Sequence, residues 1–362
     1  MAKNIIICLD GTGNEVKAKG STNVLKLVEL LDLTDPTVQV AYYDPGVGTF
    51  AAPAASSRPA QALSRLGGLA LGHGLRQNLG EAYSYLMNTW DPGDQVYIFG
   101  FSRGAYTARA LCGMLYRVGL LRKGSENLVP YAVKVYARRS GKDDDLKGPE
   151  GWKRIDRFAK AVAVRPVHPD SVAFPIAFLG LFDTVKATRF VRDFHWPYTD
   201  QLPNVAIVRH AVSIDEKRRP YRPALVPPPK SGHGPQVTET WFAGVHSDIG
   251  GGFDDTPGLG NLTMRWMVEG AIAHDLRIRT RLYHRRYPQH NASIEATCKP
   301  HRMGRYWAFA TYQHRRVPPD AVLHASVGER MKRDAHYRKQ LGNRTRWDNQ
   351  AWLWARWSAV TA

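Results

Sequence analysis

Two kinds of hydrophobic pattern alternate along the first half of the chain. Short, largely apolar runs, read as strands, are Ile5–Leu9, Val38–Tyr43 and Gln95–Phe99. Each runs into or meets a turn cluster: Asp10-Gly11-Thr12-Gly13-Asn14, Asp44-Pro45-Gly46, and Asp91-Pro92-Gly93-Asp94. Between them lie stretches with apolar residues at helical spacing, 22–31, 74–90 and 105–118. Further on, 174–182 reads as a buried strand and 205–212 as a helix or a strand. Thr238–Val245 is the last clear strand, and 262–274 is a helical candidate.

Strand–helix alternation at this spacing predicts an α/β fold, a mostly parallel sheet with helices on both faces. No internal repeat or linker divides the chain, so one domain is expected over 1–330. Residues 121–165 are expected as a helical insertion that caps a pocket, lined by Leu120, Leu121, Tyr131 and Trp152. A basic, Trp-rich extension is expected over 331–362.

Composition narrows the class. The 362 residues are 43% hydrophobic and 23% charged, which suits a globular core and excludes wholesale disorder. Three scattered cysteines, Cys8, Cys112 and Cys298, exclude a disulfide framework or a Cys-rich zinc site. The longest apolar stretch, around 172–182, is broken by Pro175 and Gly180, too short for a membrane span. The N-terminus lacks the pattern of a signal peptide, so a cytoplasmic protein is expected, with export by a signal-independent route left open. The net charge of +18 is uneven: from Arg277 onward, 18 Lys/Arg face 5 Asp/Glu, so +13 of it lies there. A basic surface of this kind favours polyanions, whether nucleic acid, anionic lipid or an acidic partner.

The chemistry centres on Gly100-Phe101-Ser102-Arg103-Gly104, a G-x-S-x-G pentapeptide between a strand and a helix. That setting is a nucleophile elbow, in which small neighbours let the backbone turn sharply and expose the serine. A serine hydroxyl needs a base and an acid that orients the base. In chain order, Asp183 ends the 174–182 run and His246 follows the 238–245 run, which makes them the acid and base candidates. Asp215 is the rival acid, and His324, after Ala321-Val322-Leu323, the rival base. The Arg103 N–H, at the start of the helix, is one candidate oxyanion donor. Gly11 or Thr12 in the 10–14 turn is the other. Asp10 and Asp248 are candidate supports. This chemistry requires no metal and no organic cofactor.

These motifs together resemble one family. The matching runs are Asp10–Asn14, Thr22-Asn23-Val24, Tyr43–Thr49, Gly100–Arg109, Phe182–Val185, His210–Arg219, Trp241–Gly252, and the stretch from His324 to Arg330. The family is that of the catalytic domain of a type VI secretion phospholipase effector, the Tle-one-like family. The resemblance implies an α/β-hydrolase fold, a Ser–Asp–His triad at Ser102, Asp183 and His246, and esterase or phospholipase chemistry on lipid acyl esters. It also implies, for an effector, a secretion or immunity partner. A rival reading is a non-catalytic polyanion-binding protein on the same scaffold. It rests on Arg302, Arg305, Tyr306, Trp307, Phe309, Tyr312, Arg315 and Arg316, which mix cations with aromatics. No nucleic-acid motif accompanies them, so nucleic acid is the less favoured partner and an anionic membrane the more favoured.

Overall fold

A computed structural model describes residues 2–11, 20–46, 68–137, 148–164, 173–186, 196–228, 234–253, 257–288, 298–301 and 313–335, and positions 295, 337, 341, 347 and 348. The basic, aromatic run 302–312 and Thr12 lie outside them. So do Trp352, Trp354 and Trp357.

The strands are β1 (Asn4–Leu9), β2 (Gln39–Asp44), β3 (Gln95–Phe101), β4 (Ile176–Phe182), β5 (Val205–Ser213), β6 (Gln236–Phe242), β7 (Val322–His324) and β8 (Trp347–Asp348). They form one sheet in the order β2-β1-β3-β4-β5-β6-β7-β8, and every neighbouring pair is parallel. The helices are α1 (Asn23–Leu30), α2 (Gly68–Thr89), α3 (Arg103–Arg117), α4 (Val129–Tyr136), α5 (Gly148–Val162), α6 (His246–Gly250), α7 (Gly258–Ile272), α8 (Thr280–Arg286) and α9 (Ala325–Arg333).

Successive residues of a strand point to opposite faces, and in β1 both faces are buried from Ile5 to Leu9. Along β1, Ile5, Ile7 and Leu9 join the core beneath α2, α3 and α4. Ile6 and Cys8 join the core beneath α1 and α7. Burying such a side chain is worth about 1.5–3 kcal/mol, so an unbroken apolar run is stable only between two helical layers. Gly180 in β4 keeps this packing possible, because a Cβ there would sit 2.4 Å from the Phe99 ring and 2.8 Å from Met267 Sδ.

One reading left open by the sequence is decided, and one expectation changes. The 205–212 run is a strand, β5, between β4 and β6. The run ending at 245 is not the last strand, since β7 and β8 extend the sheet past β6. Their signal is weak because they are only three and two residues long. A boundary near 330 falls inside α9, and Tyr337 and Leu341 beyond it share a core cluster with Trp241 and Leu323. The segment expected as a cap is anchored far along α3: Leu121 bridges Ala163, and Arg117 grips Asp156 and the Trp152 carbonyl at 2.5 and 3.1 Å. Arg117 is the last residue of α3, whereas Ser102 precedes its first. Nearer the serine, the Tyr136 hydroxyl donates to the Pro197 carbonyl at 2.7 Å, and its ring lies 6.2 Å from Trp196, which stacks on Tyr106 in the first turn of α3. Among the described residues, no helix is long and apolar enough to cross a membrane.

Candidate functional site

Ser102 sits where β3 turns into α3, with φ 59° and ψ −122°. A non-glycine residue in that region is strained, and such strain marks functional turns. The flanking glycines make the turn possible. A Cβ on Gly100 would stand 2.7 Å from the Ala105 nitrogen, and one on Gly104 would stand 2.3 Å from the Leu9 carbonyl oxygen. The helix N-terminus is thereby pressed against the end of β1. The Ser102 N–H donates to the Phe182 carbonyl at 3.0 Å, which ties the turn to the end of β4.

Asp183 follows β4 directly and also has positive φ, 41°. Its neighbour Thr184 donates its N–H to His210 Nε2 at 3.2 Å. That nitrogen must therefore be unprotonated, and His210 Nδ1 carries the proton toward Glu239 Oε2, 2.9 Å away. His246 opens α6 just after β6. Asp248 accepts the Val245 N–H at 2.9 Å and so caps that short helix.

The three side chains meet. His246 Nε2 is 2.8 Å from Ser102 Oγ, and His246 Nδ1 is 2.6 Å from Asp183 Oδ2. All three are buried, and Asp183 is 0% exposed. The imidazole lies between two rings: Phe101, with centroids 4.7 Å apart, and Tyr221, edge-on at 4.9 Å. Burial alone would raise the Asp183 carboxyl, but the Arg315 charge and the His246 bond outweigh it. They hold it well below the usual carboxylate range. Burial pushes the His246 imidazole below its ordinary value, against the pull of Asp183. The pair therefore rests as carboxylate and neutral imidazole, with Nδ1 protonated and Nε2 free to accept the serine proton.

The other candidates have different surroundings. Asp215 accepts the Gly244 N–H at 2.7 Å and the Tyr337 hydroxyl at 3.2 Å, which fixes the loop before His246. His324 stacks on Phe242 at 4.5 Å and caps α9 through the Ser326 N–H. Asp248, besides capping α6, contacts His301 Nδ1 at 2.5 Å. Asp10 accepts from Tyr43 at 3.0 Å and from Thr22 Oγ1. The Gly11 N–H donates to Asp10 Oδ1 at 2.6 Å. Arg103 supplies the first N–H of α3, a group with no partner inside the helix.

Several contributors carried no local signal. Arg315 donates to both Asp183 oxygens, at 2.6 and 3.0 Å. Glu216 accepts the His246 N–H at 3.2 Å and forms a fork with Arg218, which lies 3.8 Å over the Tyr221 ring. Gly250 did carry a signal, in the glycine run 250–252: a Cβ there would fall 2.0 Å from the Phe101 ring. Asn23 joins α1 to this loop through the Ile249 carbonyl at 3.0 Å. Among the described residues, no group of three or more His, Cys, Asp or Glu is placed to hold a metal.

A protein of Saccharomyces cerevisiae, the uncharacterized YEL023C, is 36% identical over 224 residues, which are 61% of this chain and 32% of that protein. An uncharacterized protein from Pseudomonas aeruginosa is similar in structure, with 20% identity and a TM-score of 0.44 over 76% of this chain and 46% of that one. The Tle1 effector, solved bound to the VgrG spike of a type VI secretion system, aligns with 18% identity and a TM-score of 0.36. That match covers 70% of this chain and 51% of the effector. The chain thus spans about a third to a half of these proteins. Residues 3–270 match the family described as the catalytic domain of the type VI secretion phospholipase effector Tle1-like proteins, and the chain belongs to that family.

Proposed function

We propose that the chain is a serine hydrolase that cleaves carboxylic esters, with the acyl esters of lipids or phospholipids as its substrates. The observation that carries the proposal is the unbroken contact from Ser102 Oγ through His246 to Asp183. Family membership supports the lipid class. In this reading His246 Nε2 takes the Ser102 proton as Oγ attacks the acyl carbonyl, and an acyl-enzyme forms as the alcohol leaves with that proton. Asp183 keeps the imidazole in the productive tautomer and stabilises the imidazolium. The Arg103 N–H holds the oxyanion, aided by the positive end of α3. The Gly11–Thr12 turn is assigned the second donor. Gly11 would have to exchange its present acceptor, Asp10, for the oxyanion. Water then attacks the acyl-enzyme with His246 as base again.

An anionic lipid surface is the proposed partner of the basic C-terminal third, because lysine and arginine near a membrane pair with lipid phosphate. Contact with a secretion or immunity partner is proposed from membership of an effector family.

The test compares wild type with Ser102→Ala on short-chain nitrophenyl esters and on phospholipid vesicles. Wild type is expected to release acid, and a serine-reactive phosphonate to label Ser102. Ser102→Ala is expected to lose about 10⁶-fold in kcat. Turnover that survives in Ser102→Ala, or a wild type that the phosphonate leaves unlabelled, overturns the proposal.

A further inference from the structure

Arg315 arrives from a stretch of chain that leaves the sheet after β6 and returns at β7, beyond the residues that match the family. Its side chain is 4% exposed. One Nη donates to Asp183 Oδ1 at 2.6 Å, to Ser213 Oγ at 2.8 Å and to the Ser213 carbonyl at 3.0 Å. The other donates to Asp183 Oδ2 at 3.0 Å and to the Tyr221 carbonyl at 2.5 Å. The fork thus joins the ends of β4 and β5 to the loop that lays Tyr221 against His246. Its own backbone is held close by: the Gln313 N–H donates to the Lys217 carbonyl at 2.7 Å, and Arg222 donates to Gln313 Oε1 at 2.6 Å.

From this geometry we propose that Arg315 is a positioning residue of the triad, which locks the Asp183 carboxylate in one orientation and shares the oxygen that faces His246. The proposal rests on the triad reading above. A carboxylate bound by a planar guanidinium through both oxygens cannot rotate. Asp183 Oδ2 therefore stays aimed at His246 Nδ1. The same oxygen divides its charge between imidazole and guanidinium, so the acid draws the imidazolium less strongly than an unpaired carboxylate would. Among the described residues, the other charged groups that act on His246 are Glu216, at its backbone N–H, and Arg218, stacked on Tyr221. Neither contacts the Asp183 carboxylate.

Removal of the guanidinium leaves the whole Asp183 charge for His246 and frees the carboxylate to turn. Two effects follow that a merely structural arginine would not produce together. In Arg315→Gln, the acid limb of kcat/KM against pH is expected to move upward by about half a unit or more. Its kcat is expected to fall about 10–100-fold with little change in KM. Arg315→Lys keeps the cation and loses the fork. It is expected to hold the wild-type limb while kcat falls several-fold.

The experiment measures these profiles on a nitrophenyl ester, with melting curves for each variant. An unmoved acid limb in an Arg315→Gln protein that melts like wild type overturns the proposal. If Arg315→Gln does not fold, Arg315→Lys decides: wild-type kcat in that variant overturns it equally. Turnover in Ser102→Ala overturns the triad reading instead, which keeps the two failures apart.

Discussion

On the serine side of the site, position is set by backbone and by the absence of side chains. Gly100 and Gly104 let β3, α3 and the end of β1 touch, and Ser102 takes up the strained dihedrals that result. On the acid–base side, position is set by charge. Asp183, Arg315, Glu216 and Arg218 pair with one another around His246, while Asp215 and Asp248 hold its loop through backbone N–H groups. Steric placement has no pH dependence and little dependence on salt, whereas charge placement changes with protonation. One half of the site is therefore fixed for any solution in which the protein folds, and the other half only within a window of pH.

The largest expected effect breaks the acid–base side. Asp183→Asn puts an amide between His246 and Arg315, where an anion accepts from both. The imidazole loses its productive tautomer, and kcat on a nitrophenyl ester should fall about 10⁴-fold. Next comes the serine side. Gly104→Ala places a Cβ against the Leu9 and Asp10 carbonyls at 2.3 and 2.4 Å, backbone atoms that cannot swing away. It should cost about 1–3 kcal/mol in chemical denaturation. Phosphonate labelling of Ser102 should be impaired to the same extent at pH 5.5 and pH 8.

A smaller effect sharpens the contrast through pH. The imidazole of His246 is displaced downward, first by burial. It therefore stays neutral, and able to accept the serine proton, at pH values below the ordinary histidine value of 6.5. The acid limb of kcat/KM should accordingly lie below 6.5, and activity should be lost only as pH falls through that lower value. For stability the same sign holds: the folded state resists protonation of His246, so stability declines as pH drops below 6.5.

The smallest effect concerns Asp44, at the end of β2. Burial raises it to about 6. The folded protein then binds a proton that the unfolded chain releases near 3.8, so stability falls as pH rises from about 4 to 6 and is level beyond. Asp44→Asn should remove that slope and stabilise the protein at pH 7 by about 1–2 kcal/mol, read from denaturation midpoints. The steric half of the site should not respond.

How much could be read from the sequence follows the same division. The steric half is local. A run such as Ile5–Leu9 announces a strand buried on both faces, and G-x-S-x-G between strand and helix announces the sharp turn at Ser102. The meeting of Asp183 and His246 with Ser102 was legible from chain order, since each follows a strand of a parallel sheet and their C-terminal ends lie together. The charged half is not local. Arg315 stood in the sequence as one of many cations in a basic segment, and its carboxylate partner lies 132 residues away. Tyr221 and Phe101 looked like any loop or strand aromatic, although they enclose the imidazole. The strands β7 and β8 were missed because two or three residues cannot display alternation.

The path of the chain between Phe242 and Val322 has a consequence for how the molecule is made. Synthesis runs from the N-terminus, so the segments that carry Ser102, Asp183 and His246 leave the ribosome well before Arg315. A nascent chain can assemble β1 to β6 while the Asp183 carboxylate still lacks its guanidinium. A buried anion without a counter-charge is costly, so at that stage the Asp183 carboxylate weighs against the assembled sheet. The docking of 313–317 supplies that counter-charge, so with the proposed clamp in place a segment made later readies three that were made before it.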